Sequence, residues 1–318
     1  MEIECQPDTR PCEFATTSCD SYHPGMTSAS RTLSHMARTK SPTWREKRLA
    51  GELRRIREGS RLTQQDVAEQ LGWHLSKISN IERGRVSASP DDVARILDVY
   101  GVSSAVSAPL VQLAKDASKR GWWAAYGDVF TGSYIDMEDS ASEIWEWGPQ
   151  LVPGLLQTSA YAREVIRAGR PDASREEVEQ RVRGRMARKP LLEREDSAPQ
   201  LTAVIDEAVF QRATGDLRVM ADQIRQLLNS PQNVTVRVLP FAARIHMALE
   251  GPLIVLRFPG NLPPKAYIET SGGDLYVESA EGVRRCSVVF QNVRDAALSP
   301  EESATWLARM AEEYGNHE

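Results

Sequence analysis

Apolar residues recur at helical spacing from about residue 43 onward. Leu49, Leu53 and Ile56 lie at i, i+4 and i+7, on one face of a helix that ends near Gly59. The same spacing and its capping residues predict four more helices in this part of the chain. They are Gln64–Leu71 after the N-cap Thr63, about 74–84 with Ile78 and Ile81, about 90–100 after Ser89-Pro90, and about 107–120.

Beyond Gly121 the pattern is mixed. Helical periodicity covers about 161–168, 175–189, 217–228, 282–298 and 300–314, while residues 201–205, 234–239, 252–258, 266–270 and 275–278 favour strands. Ser271-Gly272-Gly273 predicts a hairpin between the last two strands. The expected fold class is α+β: an all-α five-helix head at 43–118, followed by a mixed α+β body at 119–318. Residues 1–42 have little periodic apolar content and are predicted to be a disordered tail.

Composition and charge narrow the class of protein. The chain is 41% hydrophobic and 26% charged, and it has no apolar run of the roughly 20 residues that a membrane-spanning helix needs. Its N-terminus lacks a basic, then apolar, secretory signal. Net charge is −5, but residues 36–100 contain 13 Lys and Arg against 9 Asp and Glu, which is +4. A basic N-terminal unit on an acidic body is typical of a small DNA-binding head.

Patterns for metal sites and catalysis are missing from the sequence. Cys5, Cys12 and Cys19 are seven residues apart, which fits neither zinc ribbons nor a redox pair, so free thiols of a reduced, cytoplasmic protein are expected. No nucleophile-elbow, zincin or phosphate-loop motif is present, and His246 is an isolated histidine in the body. We therefore expect no metal, no cofactor and no enzymatic activity.

The segment 62–84 indicates a helix-turn-helix. Ala68 is small where two helices would cross closely, and Gly72 permits a positive φ in the turn. Polar residues cover the outer face of the second helix of the pair. Such a helix can enter the major groove of double-stranded DNA.

Residues 45–102 resemble the Xre/Cro family of helix-turn-helix regulators. Two motifs carry the resemblance: Leu-Thr-Gln-x-x-x-Ala at 62–68 and Ile-Ser-x-Ile-Glu-x-Gly at 78–84. By position, the resemblance implies that Gln64 touches a phosphate and that four residues face base edges. Those four are Leu75, Ser76, Lys77 and Asn80. It also implies that Arg83 and Arg85 lie near the DNA backbone and that Arg57 pairs with Glu82. Leu75 stands where many members have a polar residue, so it would contact a thymine methyl group.

The body resembles the C-terminal domain of unknown function of a large actinobacterial group of such regulators. The resemblance is carried by Arg120-Gly121-Trp122-Trp123, Val152–Thr158 and Val234–Phe241. Members are often described as antitoxin-like regulators, and the family commonly lies beside a gene for a small partner protein.

Aromatic residues are concentrated at the start of the body. Trp122, Trp123, Tyr126, Trp145 and Trp147 are candidates for an interface or a ligand site, with core packing as the alternative. The acidic residues Asp136, Glu138, Asp139 and Glu143 favour a solvated face over a metal site.

The sequence therefore predicts a cytoplasmic, nucleoid-associated transcriptional regulator that binds specific double-stranded DNA as a homodimer, with its dimer contact in the body. The alternative is an antitoxin-like interaction protein that binds a small partner protein and regulates its own promoter. Neither prediction involves a membrane.

Overall fold

The computed structural model describes residues 43–118, 122–126, 129, 134–259, 262–270 and 272–315, with the backbone alone for Trp122 and Ala124. The predicted disordered tail, with Cys5, Cys12 and Cys19, lies outside these ranges. All the described residues belong to one compact unit.

Five helices form the head, as predicted. They are α1 Trp44–Gly59, α2 Gln64–Leu71, α3 Leu75–Glu82, α4 Pro90–Tyr100 and α5 Ser104–Ser118. A single apolar cluster joins them, with Leu53, Val67, Val93 and Leu97 completely buried. This core is built from the residues whose spacing predicts the helices.

Side-chain caps fix where three of the head helices, α1, α2 and α4, begin. The Thr63 hydroxyl accepts a hydrogen bond from the Asp66 amide at 3.1 Å, and the Asp66 carboxylate accepts one from the Thr63 amide at 2.8 Å. This reciprocal pair satisfies two amides at the start of α2 that have no partner within the helix. At its other end Gly72 adopts φ +66°, which an L side chain would disfavour.

The body contains seven helices and six strands among the described residues. They are α6 Tyr134–Ser140, β1 Glu143–Gly148, α7 Ser159–Gly169, α8 Arg175–Met186, β2 Gln200–Asp206, α9 Glu207–Gln211, α10 Leu217–Leu228, β3 Val234–Leu239, β4 Leu253–Arg257, β5 Lys265–Thr270, β6 Gly273–Val277, α11 Ala280–Ala296 and α12 Pro300–Gly315. Short 3-10 turns lie at Trp122–Tyr126, Gly154–Leu156 and Lys189–Glu193. The fold is therefore α+β, as expected.

The six strands form one mixed sheet in the order β3-β2-β1-β4-β5-β6. β1, β2 and β3 are parallel, whereas β4, β5 and β6 join on in antiparallel order. The predicted hairpin between β5 and β6 is present, with Gly273 at φ +136°. Five of these strands were predicted from the sequence, but β1, which is at the centre, was missed.

Helices cover both faces of the sheet. α11 packs on one face, where Phe290 and Val293 meet Trp145 and Val255 in one cluster. On the opposite face Ile144 and Leu256 belong to a larger cluster with residues of α10 and α12. No helix in the described part of the chain is long and apolar enough to span a membrane.

Candidate nucleic-acid interface

α2 and α3 are held together by apolar contacts. Val67, Ala68, Ile78 and Ile81 are each at most 2% exposed. The small Ala68 lies on α2 where the helix packs against α3, and Gly72 allows the chain to reverse between the two helices. The pair therefore has the form of a helix-turn-helix, in which α3 presents its other side to solvent.

A buried ion pair lies beneath α3. Arg57 and Glu82, predicted to be partners, are joined by two hydrogen bonds of 2.7 and 3.0 Å. The Tyr100 hydroxyl donates to the same carboxylate at 3.3 Å. The hydrogen bond to Glu82 raises the pKa of Arg57, and burial raises the pKa of Tyr100. This network ties α3 to α1 and α4, because its charges are shielded from water and cannot exchange partners freely.

The remaining predicted DNA contacts share one solvent-facing side of α3 and the turn that follows it. Leu75 is 44% exposed, Ser76 is exposed, and Asn80 is partly exposed. Arg83 and Arg85 extend this surface beyond the end of α3, and both are exposed. This surface of α3 combines hydrogen-bonding groups and cations with one apolar side chain, that of Leu75.

Lys77, a predicted base contact, also has two partners within the protein. Its ammonium lies 3.0 Å from an Asp92 oxygen and 3.6 Å from the centre of the Trp73 ring. Its side chain is nevertheless 40% exposed. An ammonium has three donors, so Lys77 can keep Asp92 and still offer a hydrogen bond to a ligand.

Gln64 begins α2, next to the buried pair. Its amide nitrogen donates to Glu82 at 2.7 Å, so the ion-pair network fixes the orientation of this side chain. The second hydrogen of the amide group remains for another acceptor. The arrangement is compatible with the predicted phosphate contact, but it also gives Gln64 a structural role that was not predicted from the sequence.

Val86 is a further exposed residue that was not predicted as part of this surface. It follows Arg85 and is 50% exposed. The signal in the sequence was an isolated valine within the polar segment 83–87. Leu75 and Val86 are therefore the two exposed large apolar residues within the described segment 75–86.

The aromatic candidates in the body have different environments. Trp145 and Trp147 are 8% and 1% exposed and belong to the core under α11. Trp145 stacks on Phe290 at 5.3 Å, and the Trp147 indole donates to the Ala248 carbonyl at 3.2 Å. Because buried rings cannot meet a partner, the interface interpretation is wrong for these two residues, and core packing applies.

Two of the other candidates are only partly buried. Trp123 receives the Arg45 guanidinium of α1 over its ring at 5.6 Å, and Tyr126 is also partly buried. The side chain of Trp122 lies outside the described part of the structure.

The acidic residues of α6 do not form a solvated face, which corrects the sequence-based interpretation. Asp136 and Glu138 are 3% and 2% exposed. Glu138 accepts a hydrogen bond from Arg188 at 2.8 Å, and Arg194 is paired with Asp139. Arginines distant in sequence neutralise these carboxylates, so their burial could not be predicted from the local pattern. In the described residues, no group of three or more His, Cys, Asp or Glu side chains could hold a metal ion.

The first turn of α1 connects the head to the body. The Arg45 amide donates to Asp136 at 2.9 Å, and its guanidinium contacts Asp139 at 2.6 Å and Ser140 at 3.0 Å. Trp44, the preceding residue, is 6% exposed and stacks on Phe258 at 4.3 Å. Head and body therefore share both an apolar and an ionic contact.

Comparison with known proteins identifies the two parts of the chain. Residues 48–110 match the model of a helix-turn-helix domain, the type of domain found in DNA-binding regulators. Residues 131–309, more than half of the chain, match the model of a domain of unknown function (DUF5753). No curated protein and no solved structure matches significantly. The chain therefore belongs to the DUF5753 family, with a helix-turn-helix domain in front of the family domain.

Proposed function

We propose that this protein is a transcriptional regulator that reads specific double-stranded DNA through α3, under the control of its body. The observation that carries the proposal is the exposed side of α3, which offers hydrogen-bonding and cationic groups on a rigid helix. An α-helix is about 10–12 Å in diameter and the major groove is about 12 Å wide, so the helix fits.

The exposed residues divide by chemistry into two roles. Asn80, Ser76 and Lys77 can hydrogen-bond to base edges, whereas Leu75 and Val86 can contact thymine methyl groups. In this proposal Arg83, Arg85 and Gln64 bind phosphates, which fix the position of the head without reading sequence. The network around Glu82 supports both roles because it keeps α3 in one orientation.

The contact between α1 and α6 suggests how the body could control the head. Arg45 is held by two carboxylates of α6, and the same helix is paired with Arg188 and Arg194 of the body. A change in the body that shifts α6 would therefore change the position of α1, and with it that of α3. The proposed action is binding and its regulation, with no catalytic step.

We include dimerisation in the proposal. A single head of about 60 residues buries too little surface for tight specific binding, and two heads on neighbouring half-sites overcome this limit. The matching operator would then contain two related half-sites about one helical turn apart.

The test is genome-wide mapping of bound sites in the native host, with the wild-type protein and the Asn80→Ala variant. The proposal predicts a common sequence motif upstream of genes for the wild type, and loss of one base preference for the variant. Arg309→Ala is the control, because Arg309 is an exposed arginine of α12 in the body. Binding without any common motif would refute the proposal.

A further inference from the structure

The loop between β3 and β4, residues 240–252, exposes large apolar side chains. Phe241, Ile245, Met247 and Leu249 are 63%, 86%, 52% and 66% exposed. At roughly 200 Å² per large side chain, these fractions correspond to about 500 Å² of apolar surface. Patches of this size on a monomer often mark an interaction site.

The exposed side chains project from a segment that is anchored to the body. The Ala248 carbonyl accepts from the Trp147 indole at 3.2 Å, and Ala248 is 3% exposed. The Met247 amide donates to Asn292 of α11 at 2.9 Å, and the His246 ring meets the edge of Trp147 at 5.5 Å. Burial thus alternates, with 246 and 248 facing inward and 245, 247 and 249 facing outward. The apolar patch has a defined shape before any partner binds.

The exposed apolar and charged residues of this segment are evenly spaced on either side of Met247. Ile245 and Leu249 lie two residues on either side of it, and the exposed Arg244 and Glu250 lie three residues on either side. A two-fold axis at Met247 would bring Ile245 of one copy to Leu249 of the other. It would also bring Arg244 to Glu250, twice. A surface with this pattern complements itself, which is the requirement for an isologous interface.

We propose that the segment Arg244–Glu250 is the contact between two copies of this chain, which pack antiparallel about a two-fold axis at Met247. The proposal rests on the dimer included in the proposed function and assigns its contact surface. A standard interface buries about 800 Å² per partner. At the same area per side chain, Ile245, Met247 and Leu249 expose about 400 Å², so the segment would supply about half of such an interface. Val288, 47% exposed, lies one turn before Asn292 on α11 and extends the apolar surface next to the loop.

Charge exchange within the proposed pair gives a specific test. In sedimentation equilibrium of the full chain at low salt, Arg244→Glu and Glu250→Arg should each raise the dissociation constant of the dimer roughly tenfold, because like charges then face each other. An equimolar mixture of the two variants should associate more tightly than either alone, since both pairs are then complementary. The double variant R244E/E250R should also recover the wild-type constant.

A second substitution tests the apolar part of the contact. Ile245→Asp should make the full chain monomeric at micromolar concentration, while its thermal melting stays close to that of the wild type because residue 245 is 86% exposed. The variant should still bind a single half-site and should lose cooperative binding to two.

Three results would overturn the inference: a monomeric wild type, a dimer unchanged by all the variants, or a mixture no tighter than its components. Binding of a monomeric wild type to specific DNA would refute the dimer alone. Absence of specific DNA binding by a wild-type dimer that responds to the charge exchange would instead refute the proposed function.

Discussion

Burial determines how much an ion pair contributes to the stability of this protein. Two pairs that involve arginines of α1 illustrate this. Arg57 is 11% exposed and its partner Glu82 is 2% exposed, whereas Arg54 and Glu58 are 62% and 52% exposed. Both pairs have distances below 3 Å. The energetic difference comes from water, which solvates the outer pair even when it is broken and cannot reach the inner one.

Arg57→Ala should therefore lower the free energy of unfolding by about 3–5 kcal/mol, because it leaves the Glu82 carboxylate buried without its cation. Chemical denaturation of the full chain, followed by circular dichroism, measures this effect. Arg54→Ala is the matched control on the same helix and should change the free energy of unfolding far less, because water solvates both Arg54 and Glu58 when the pair is broken. Equal losses for both variants would contradict the role given to burial.

Base contacts and phosphate contacts can be distinguished by how the binding affinity depends on DNA sequence and on salt concentration. Asn80→Ala should cost about 1–3 kcal/mol at the correct site and relax preference at one base pair. Arg85→Ala should weaken binding to all sequences alike and reduce the salt slope by about one, because one phosphate contact is lost. Fluorescence titrations at several salt concentrations distinguish the two. An Asn80→Ala variant with unchanged specificity would mean that α3 is not docked as proposed.

Glu146 on β1 is a further residue with a measurable signature. Burial, and then the neighbouring Glu138, raises its pKa to about 8, against the opposing influence of Arg188 and Arg185. An ordinary glutamate titrates near pH 4.3, so between about pH 4.3 and 8 the folded chain binds more protons than the unfolded one. This contribution to stability is full below that range and is lost as the pH rises through it.

Glu146→Gln should consequently raise the free energy of unfolding at pH 9 by roughly 1–3 kcal/mol and flatten its decline between pH 5 and 8. Denaturation at a series of pH values provides the measurement. Glu312→Gln, at an exposed position of α12, is the control and should leave the profile unchanged. Parallel pH profiles for the wild type and Glu146→Gln between pH 5 and 8 would contradict the raised pKa of Glu146.

Among the secondary-structure elements, the short helix α6 has ionic contacts with both the head and the body. Its seven residues carry Asp136 and Asp139 toward α1 of the head and Glu138 toward Arg188 of the body. Burial raises the pKa of Asp136, and the neighbouring Arg45 opposes this shift. The helix is thus a connection between head and body whose strength depends on paired charges.

Arg45→Ala removes the guanidinium contacts to α6 and should loosen the head from the body. Differential scanning calorimetry should then show the head unfolding at a lower temperature than the body. In the wild type the two transitions should overlap more. Arg55→Ala is the control, because Arg55 is on the same helix, is 70% exposed and pairs only with Glu52 among the described residues. A single unchanged transition for Arg45→Ala would contradict the coupling role of α6.

α6 and β1 also show what could not be predicted from local sequence. The head helices were predictable because each has an apolar stripe of its own, and α1, α2 and α4 also begin after an N-cap side chain. β1, Glu143–Gly148, was missed because it buries apolar side chains on both faces, Ile144 on one and Trp145 and Trp147 on the other, so its residues do not alternate in polarity. α6 was taken for a solvated acidic face because the arginines that neutralise it come from 45, 188 and 194, which only the fold brings together.

For the whole molecule, the predictable part was the DNA-binding head, and the unpredicted part was the surface of the body. The sequence predicted an interface or a ligand site among five aromatic residues of the body, of which Trp145 and Trp147 are buried. In the structure, the exposed apolar residues of the body include those of the loop 240–252. Their exposure depends on the path of the loop between β3 and β4, which the local sequence does not predict. Two copies joined at this loop would give the protein two heads.

Selection of bound sequences from a random pool of DNA duplexes, using the purified full chain, tests the central claim most directly. The account predicts enrichment of one motif with two related half-sites, and loss of base preferences when Lys77 and Asn80 are both replaced by alanine. Failure to enrich any motif, or enrichment of the same motif by the double variant, would contradict the claim that α3 reads DNA.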